Sequence, residues 1–348
     1  MSMAATAPTP RERELLDAAR RGDEYAYASL VEPHRRALHA HSYRMLGSVH
    51  DADDAVQDAL LRAWRGLARF EGRSTPRSWL YKITTNACLD VIAKRPKRTL
   101  PAALGPCSEP GGGAGEPLVE SVWIGPYPDE LLDPADTREA PEARYDQREG
   151  VELAFIAALQ HLPPNQRAAL ILREVLGFSA REVADTLDTT VASVNSALQR
   201  ARKAVEERLP DQTQQATLRA LGDDALRALV QRYVDAWERN DVGAVVEMLS
   251  EDAAFSMPPN RSWFRGREAI RAFLPTGPLS APRRFLHTRA NGQVAFGTYL
   301  WIAELGHFRA NAIHLITLRG REIADITAFL DRRMFPVFGL PSTLPGPA

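Results

Sequence analysis

The sequence predicts a multidomain chain: two all-α modules, the second a helix-turn-helix, followed by an α+β domain. Three observations carry this reading. Helical periodicity runs almost unbroken from about residue 12 to 98 and returns over 147–209. A stretch rich in Pro, Gly and acid separates the two helical blocks. After PDQTQQ at 210–215, amphipathic helices give way to strand-like runs. The predicted divisions are 12–98, a linker over 99–146, a second module over 147–210 and a terminal domain over 216–342. A length of 348 residues accommodates this, at roughly 100–200 residues per domain.

Composition narrows the function class. With 45% hydrophobic and 25% charged residues the chain is globular, and a net charge of −1 argues against a uniformly basic nucleic-acid binder. Opposed patches are hidden in that average. Cys88 and Cys107 have neither a CxxC nor a Cys/His spacing, so neither a zinc site nor a disulfide framework is indicated. No metal or cofactor is expected. No run of about 18 apolar residues appears, and the N-terminus lacks the apolar core of a signal peptide. The expectation is a cytoplasmic protein with no membrane contact.

In the first block, DADDAVQDALLRAWRGL (51–67) puts Ala52, Val56, Ala59, Leu60, Ala63 and Leu67 on one helical face. Asp54, Asp58, Leu61, Arg62 and Arg65 fall on the other, with Gln57 at the border. An apolar Leu61 among complementary charges fits a partner surface; the alternative is a solvated outer face. Next, RSTPRSWLYKITTNACLDVIAKRPKR (73–98) repeats Asn86, Asp90 and Lys94 every four residues, on one face. Between 81 and 98 there are five basic residues, Lys82 and the terminal Lys94, Arg95, Lys97 and Arg98, against one acid. Basic charge beside Trp79 and Tyr81 suits a nucleic-acid strand, where phosphates pair with cations and bases stack on rings. The competing readings are a core Trp79 and a basic helix end that complements the helix dipole.

The second block is more specific. Ser179 and Glu182 form an S-x-x-E capping box opening a short helix. Asp188-Thr189-Thr190 makes a turn and supplies the cap of a second helix from Val191. That is the helix-turn-helix pattern, whose second helix enters the major groove. Val194, Leu198 and Ala201 face inward, leaving Thr190, Ser193, Asn195, Ser196, Gln199, Arg200 and Lys203 to address bases or phosphates.

Two helical modules in this order resemble an extracytoplasmic-function (ECF) sigma factor of the sigma-70 family. The matching residues are DADDAVQDALLRAW (51–64), RSWLYKITTNACLD (77–90), LPPNQRAALILR (162–173), SAREVA (179–184) and SALQRAR (196–202). The resemblance implies a promoter-specificity subunit whose partners are promoter DNA and core RNA polymerase, through the β′ clamp and β flap. Asp54, Gln57, Asp58, Leu61 and Arg62 stand where the family grips the clamp. Asn86 and Asp90 stand where it captures an unstacked base of the −10 element, with Trp79, Lys82, Lys94 and Arg95 along the strand path. Residues 190–203 stand where it reads the −35 element. The family often carries Lys and Arg where this chain has Asn195 and Ala197, so fewer phosphate contacts and a flatter salt dependence are expected.

The last block opens with DDALRALVQRYVDAWERN (223–240), apolar at 226, 229, 230, 233, 234 and 237. A second helix and short strand, a third helix REAIRAFL, and three strand-like runs follow, with Leu318-Arg319-Gly320-Arg321 as a hairpin turn. The order resembles the SnoaL-like fold, a sheet wrapped by helices into a cone, which a subset of ECF sigma factors carries. Such cones are sometimes enzymes. Here His287, Glu304, His307, His314 and Asp325 are acid/base candidates, but no spacing fixes a shared site, so no catalytic residue is assigned. Trp237, Trp263 and Trp301 are candidates to line a pocket for an apolar small molecule. The reading is a sigma factor, not an enzyme, modulated in cis by its cone; the alternative is a SnoaL-like enzyme or ligand sensor fused to a DNA-binding module.

The linker carries nine acids against Arg138 alone over 107–143, yet holds Trp123 and Tyr127 between prolines. In the resembling family this connector threads the basic active-site cleft of polymerase, a charge match. Trp123 and Tyr127 are the expected anchor on the cone in the free protein; local packing on the helical modules is the alternative.

Overall fold

The structure is a computed structural model and describes residues 9–70, 72, 74–109, 115–119, 122–132 and 148–346. The rest of the acidic stretch, 133–147 with Arg138, lies outside the described residues. The chain forms two compact units. One is built from residues up to Arg98 with 131–150 and 154–209; the other from 99–130, 151–153 and 210 onward. The predicted linker is therefore not one segment, because its first thirty-odd residues belong to the C-terminal unit.

The first unit is helical. Its helices are α1 (Pro10–Arg20), α2 (Glu24–Val31), α3 (Arg35–Leu46), α4 (Val49–Gly66), α5 (Pro76–Lys94), α6 (Leu153–Gln160), α7 (Pro164–Leu170), α8 (Ala180–Thr186) and α9 (Val191–Glu206). Side-chain oxygens satisfy their first backbone N–H groups: Thr9 on α1, Asp23 on α2, Ser48 on α4, Thr75 on α5, Ser179 on α8 and Thr190 on α9. The Ser179/Glu182 capping box forms in both directions. A π turn over Ile171–Val175 continues α7, a feature that periodicity does not announce.

Both helical modules share this unit. The Phe178 ring, ahead of α8, lies 5.2 Å from that of Tyr81 on α5, and both are buried. The Arg77 guanidinium covers Phe178 at 4.6 Å and donates to Leu176 O at 3.1 Å. Arg167 on α7 is buried and bonds only to carbonyl oxygens: Met45 O at 2.5 Å, Gln160 Oε1 at 2.7 Å, Gln160 O and Leu162 O. Burial pushes its guanidinium down to about 10, still charged at neutral pH.

The second unit holds α10 (Gln214–Leu221), α11 (Asp223–Glu238), α12 (Val242–Glu247), α13 (Arg267–Phe273) and α14 (Met334–Val337). Its strands are β1 (Leu249–Ser256), β2 (Trp263–Arg265), β3 (Arg283–Ala290), β4 (Gln293–Ile302), β5 (His307–Arg319), β6 (Glu322–Phe329) and β7 (Thr343–Pro345). The sheet order is β2-β1-β6-β5-β4-β3, with β7 on β5. Gly320, in the left-handed region at φ 61°, turns β5 into β6. Strand β3 was not among the sequence-derived runs; its exposed charged positions, such as Arg284, interrupt the apolar signal. One face of the sheet carries Phe255, Phe285 and Phe296 against Tyr233 and Trp237 of α11. The other is closed in part by the C-terminal segment, where a Cβ on Gly297 would meet Leu340 Cδ1 at 2.5 Å.

Candidate nucleic-acid interface

α4 turns its apolar stripe inward and leaves Asp54, Gln57, Asp58, Leu61 and Arg62 exposed. Leu61 is 51% exposed, a large apolar side chain with no burial to account for it. Beside it runs a groove of about 840 Å³ whose walls include Tyr27, Val31, Gln57, Leu60, Leu61 and Trp64. Arg62 spans two helices: it holds Asp58 on its own helix and Asp90 on α5, each at 2.7 Å. Those carboxylates keep its guanidinium above the ordinary range.

α5 brings the other expected residues to one helix, most of them engaged. Lys82 donates to Asp188 Oδ1 at 2.6 Å and Asp185 O at 2.7 Å. Arg95 pairs with the buried carboxylate of Asp51, which Arg98 also holds at 2.7 Å. Trp79 is half-buried, its ring 4.7 Å from Phe70 and packed on the cluster of Leu16, Leu30 and Leu67. It is built into the module rather than displayed as a stacking platform. Asn86 is half-buried and Lys94 exposed. Beneath them His41 and Cys88 are uncharged: burial lowers the imidazole to about 3 and raises the thiol to about 12.

On α9 the picture is different. Val194, Leu198, Ala201 and Val205 are buried, while Thr190, Ser193, Asn195, Ser196, Gln199, Arg200 and Lys203 are all exposed. Thr190 also accepts from Ser193 N at 3.2 Å as the helix cap. A short helix, a turn through Asp188 at φ 49° and a second helix with an open polar face is the geometry of a major-groove reader.

Residues 30–98 match the family model for sigma-70 region 2, 152–205 that for sigma-70 region 4, and 230–326 that for a SnoaL-like domain. The chain is 40% identical over 329 residues to the ECF RNA polymerase sigma factor SigG of Mycobacterium tuberculosis, covering 93% of this chain and 86% of that protein. This chain belongs to the ECF sigma factors. It is also 32% identical over 191 residues to the ECF RNA polymerase sigma factor SigM of the same organism, 55% of this chain and 81% of that one. The crystal structure of the Mycobacterium tuberculosis ECF sigma factor SigJ shares the fold, with a TM-score of 0.55 at 23% identity over 90% of this chain and 99% of that one. The helical modules are thus sigma-70 regions 2 and 4, the parts through which a sigma factor directs polymerase to promoters. No helix among the described residues is long and apolar enough to cross a membrane.

The cone of this sigma factor does not gather the three tryptophans. Trp237 is fully buried among Tyr233, Phe255, Phe285 and His314. Trp263 Nε1 donates to Gly105 O at 3.0 Å, and Trp301 packs edge-on against Phe308. Their neighbours do not overlap, and the first is spent on the core. The acid/base candidates are scattered too. His314 pairs with Ala328 and Asp325 with Thr317, so strand alternation sends them to opposite faces of the sheet. His314 is buried and lowered to about 3, and Asp325, raised to about 6 by burial, accepts from Thr327. His287 and Glu304 are exposed, and His307 bonds Leu305 O.

The segment from Thr99 to Glu130 is folded into this unit. Trp123, Ile124 and Tyr127 are buried. Tyr127 N donates to Asn291 Oδ1, and Asn291 N donates back to Tyr127 O, both at 2.8 Å. Asn291 Nδ2 also donates to Val151 O at 2.6 Å, and Gly292 N to Asp129 Oδ1 at 2.8 Å. Asn291 is fully buried and left-handed at φ 56°. It was not among the sequence-derived candidates; its signal is the Asn-Gly pair between β3 and β4, a hairpin turn.

Proposed function

We propose that this sigma factor recruits polymerase through the exposed face of α4, opens the −10 region with α5, reads −35 DNA with α9, and is held in check in cis by its SnoaL-like domain. It works in the cytoplasm, where RNA polymerase is. Asp54, Gln57, Asp58, Leu61 and Arg62 meet the clamp; Asn86 and Asp90 take the flipped base. The observation that carries the regulatory part is the double grip of Asn291 on the Tyr127 backbone. A connector folded onto the cone is not available to a polymerase channel, so the two uses compete.

Asn291→Gly keeps the left-handed backbone and removes the side-chain bonds to Tyr127 N and Val151 O. Loss of buried hydrogen bonds of about 1–2 kcal/mol predicts a rise of roughly 5–30-fold in apparent affinity for core polymerase. Holoenzyme assembly and promoter-directed transcription equal to the parent's would sink the cis-inhibition reading. A small molecule inside the cone gains no support, because aromatic side chains fill the helix-covered face. The enzyme reading lacks converging acid/base groups among the described residues.

A further inference from the structure

A second cavity in the helical unit, of about 380 Å³, lies apart from the α4 and α9 faces and shares only Arg95 with the expected strand path on α5. The end of α5 and the turn between α6 and α7 enclose it. Its charged lining is Asp51, Arg95, Lys97, Arg98, His161 and Arg167. Four cations thus face one carboxylate, and that carboxylate is already committed to Arg95 and Arg98. Arg167 has carbonyl oxygens as its bonding partners, and its buried Nε has no acceptor. Lys97 Nζ donates to His161 Nδ1 at 2.9 Å, which requires a neutral imidazole. Gln160 apart, the remaining walls are apolar, among them Leu46, Ile92 and Leu162.

We propose that this cavity binds a compact polyphosphate anion of the nucleoside polyphosphate class, with the phosphates on Lys97, His161 and Arg167 and the organic part against the apolar walls. The volume lies in the range of small-ligand sites, about 300–1,000 Å³. Depth separates this ligand from promoter DNA. Lys97 and His161 stand exposed at the mouth, whereas Arg98 is 8% exposed and Arg167 4%, beyond the reach of phosphates on a rigid duplex. Uncompensated cations already repel one another here: burial, with Arg167 and Arg208 nearby, holds Lys97 below the usual lysine range, and burial with Lys97, Arg208 and Arg167 holds His161 low. An anion relieves that repulsion and draws a proton onto His161, so binding tightens as pH falls through the imidazole pKa. Because residues of both sigma regions line the cavity, occupancy bears on whether regions 2 and 4 stay together. The inference does not depend on the proposed roles of α4, α9 and the cone, and it assigns the phosphates to residues other than Arg95.

The test uses the full-length protein with orthophosphate, pyrophosphate, ATP and a promoter duplex as probes. Calorimetry measures affinity, and the His161 imidazole, assigned by His161→Gln, is titrated by NMR. Pyrophosphate and ATP are expected to bind at least tenfold more tightly than orthophosphate and to raise the His161 pKa by about one unit. Lys97→Gln, at an exposed position, should weaken pyrophosphate at least tenfold, and Arg227→Gln on α11 should leave it unchanged. A His161 pKa indifferent to pyrophosphate overturns the proposal. So does equal loss in both variants, or a response to the duplex without one to pyrophosphate. None of these outcomes bears on holoenzyme assembly by Asn291→Gly, so the two readings fail separately.

Discussion

The two helices that we propose to meet promoter DNA are in opposite conditions. Every candidate contact on α9 is exposed, and the ties found among them run between Thr190 and Ser193 at the helix cap. On α5, Lys82 is held by Asp188, Asp90 by Arg62, Arg95 by Asp51 and Trp79 by Phe70. The difference matches the physical tasks. A major-groove reader meets DNA that is already accessible, so a preformed face costs nothing to keep. A strand-capturing helix acts only after duplex opening, and cations left unpaired would bind any DNA non-specifically.

The largest effect should come from breaking the aromatic contact that joins α5 to the helix-turn-helix. Phe178→Ala removes a buried ring from Tyr81 and Arg77 and is expected to cost about 3–4 kcal/mol in urea unfolding. A loss under about 1 kcal/mol would mean that the two modules do not depend on it. Acid comes next. His41 has a folded pKa of about 3 against an ordinary 6.5, so the unfolded chain takes up the proton first. Stability is full above 6.5 and falls below it, by about 2 kcal/mol between pH 6.5 and 5 for this one group. His314 adds a similar decline in the other unit. His41→Gln should flatten the pH slope of the helical unit alone, read from amide exchange of each unit.

Smaller effects sharpen the contrast between helices. Thr190→Val deletes the α9 cap and should cost about 1 kcal/mol, with Thr190→Ser restoring it. Asp188→Asn keeps a residue suited to the left-handed turn, removes the charge that pairs with Lys82 at the surface, and should change stability by less than about 1 kcal/mol. It should nevertheless raise affinity for a single-stranded −10 oligonucleotide about two- to fivefold by fluorescence anisotropy. An unchanged affinity would mean that Lys82 is not on the strand path.

Local features of the sequence were legible. The stripes of α4 and α9, the Ser179 capping box and the Gly320 turn rest on residues a few positions apart, where spacing alone decides. The pairings that occupy α5 were not: Arg62 meets Asp90 across 28 residues and Lys82 meets Asp188 across 106. Periodicity places a residue on a face and says nothing of what comes to lie over it. The separate surroundings of Trp237, Trp263 and Trp301 were hidden for the same reason, since three rings scattered along a chain carry no sign of a shared neighbour. The acidic stretch misled in a subtler way. Its composition suits a solvated linker, but Trp123, Ile124 and Tyr127, with Pro126 and Pro128, are buried and fold part of it.

Glu152 is a buried carboxylate that accepts from Gln214 N at 3.0 Å and Gln215 N at 2.9 Å. It lies just before the 154–209 segment, and its two partners lie just after it. One side chain therefore brings together the residues on either side of that segment, as a clasp closes a necklace. Undoing the clasp means rehydrating one buried carboxylate and two backbone N–H groups at once.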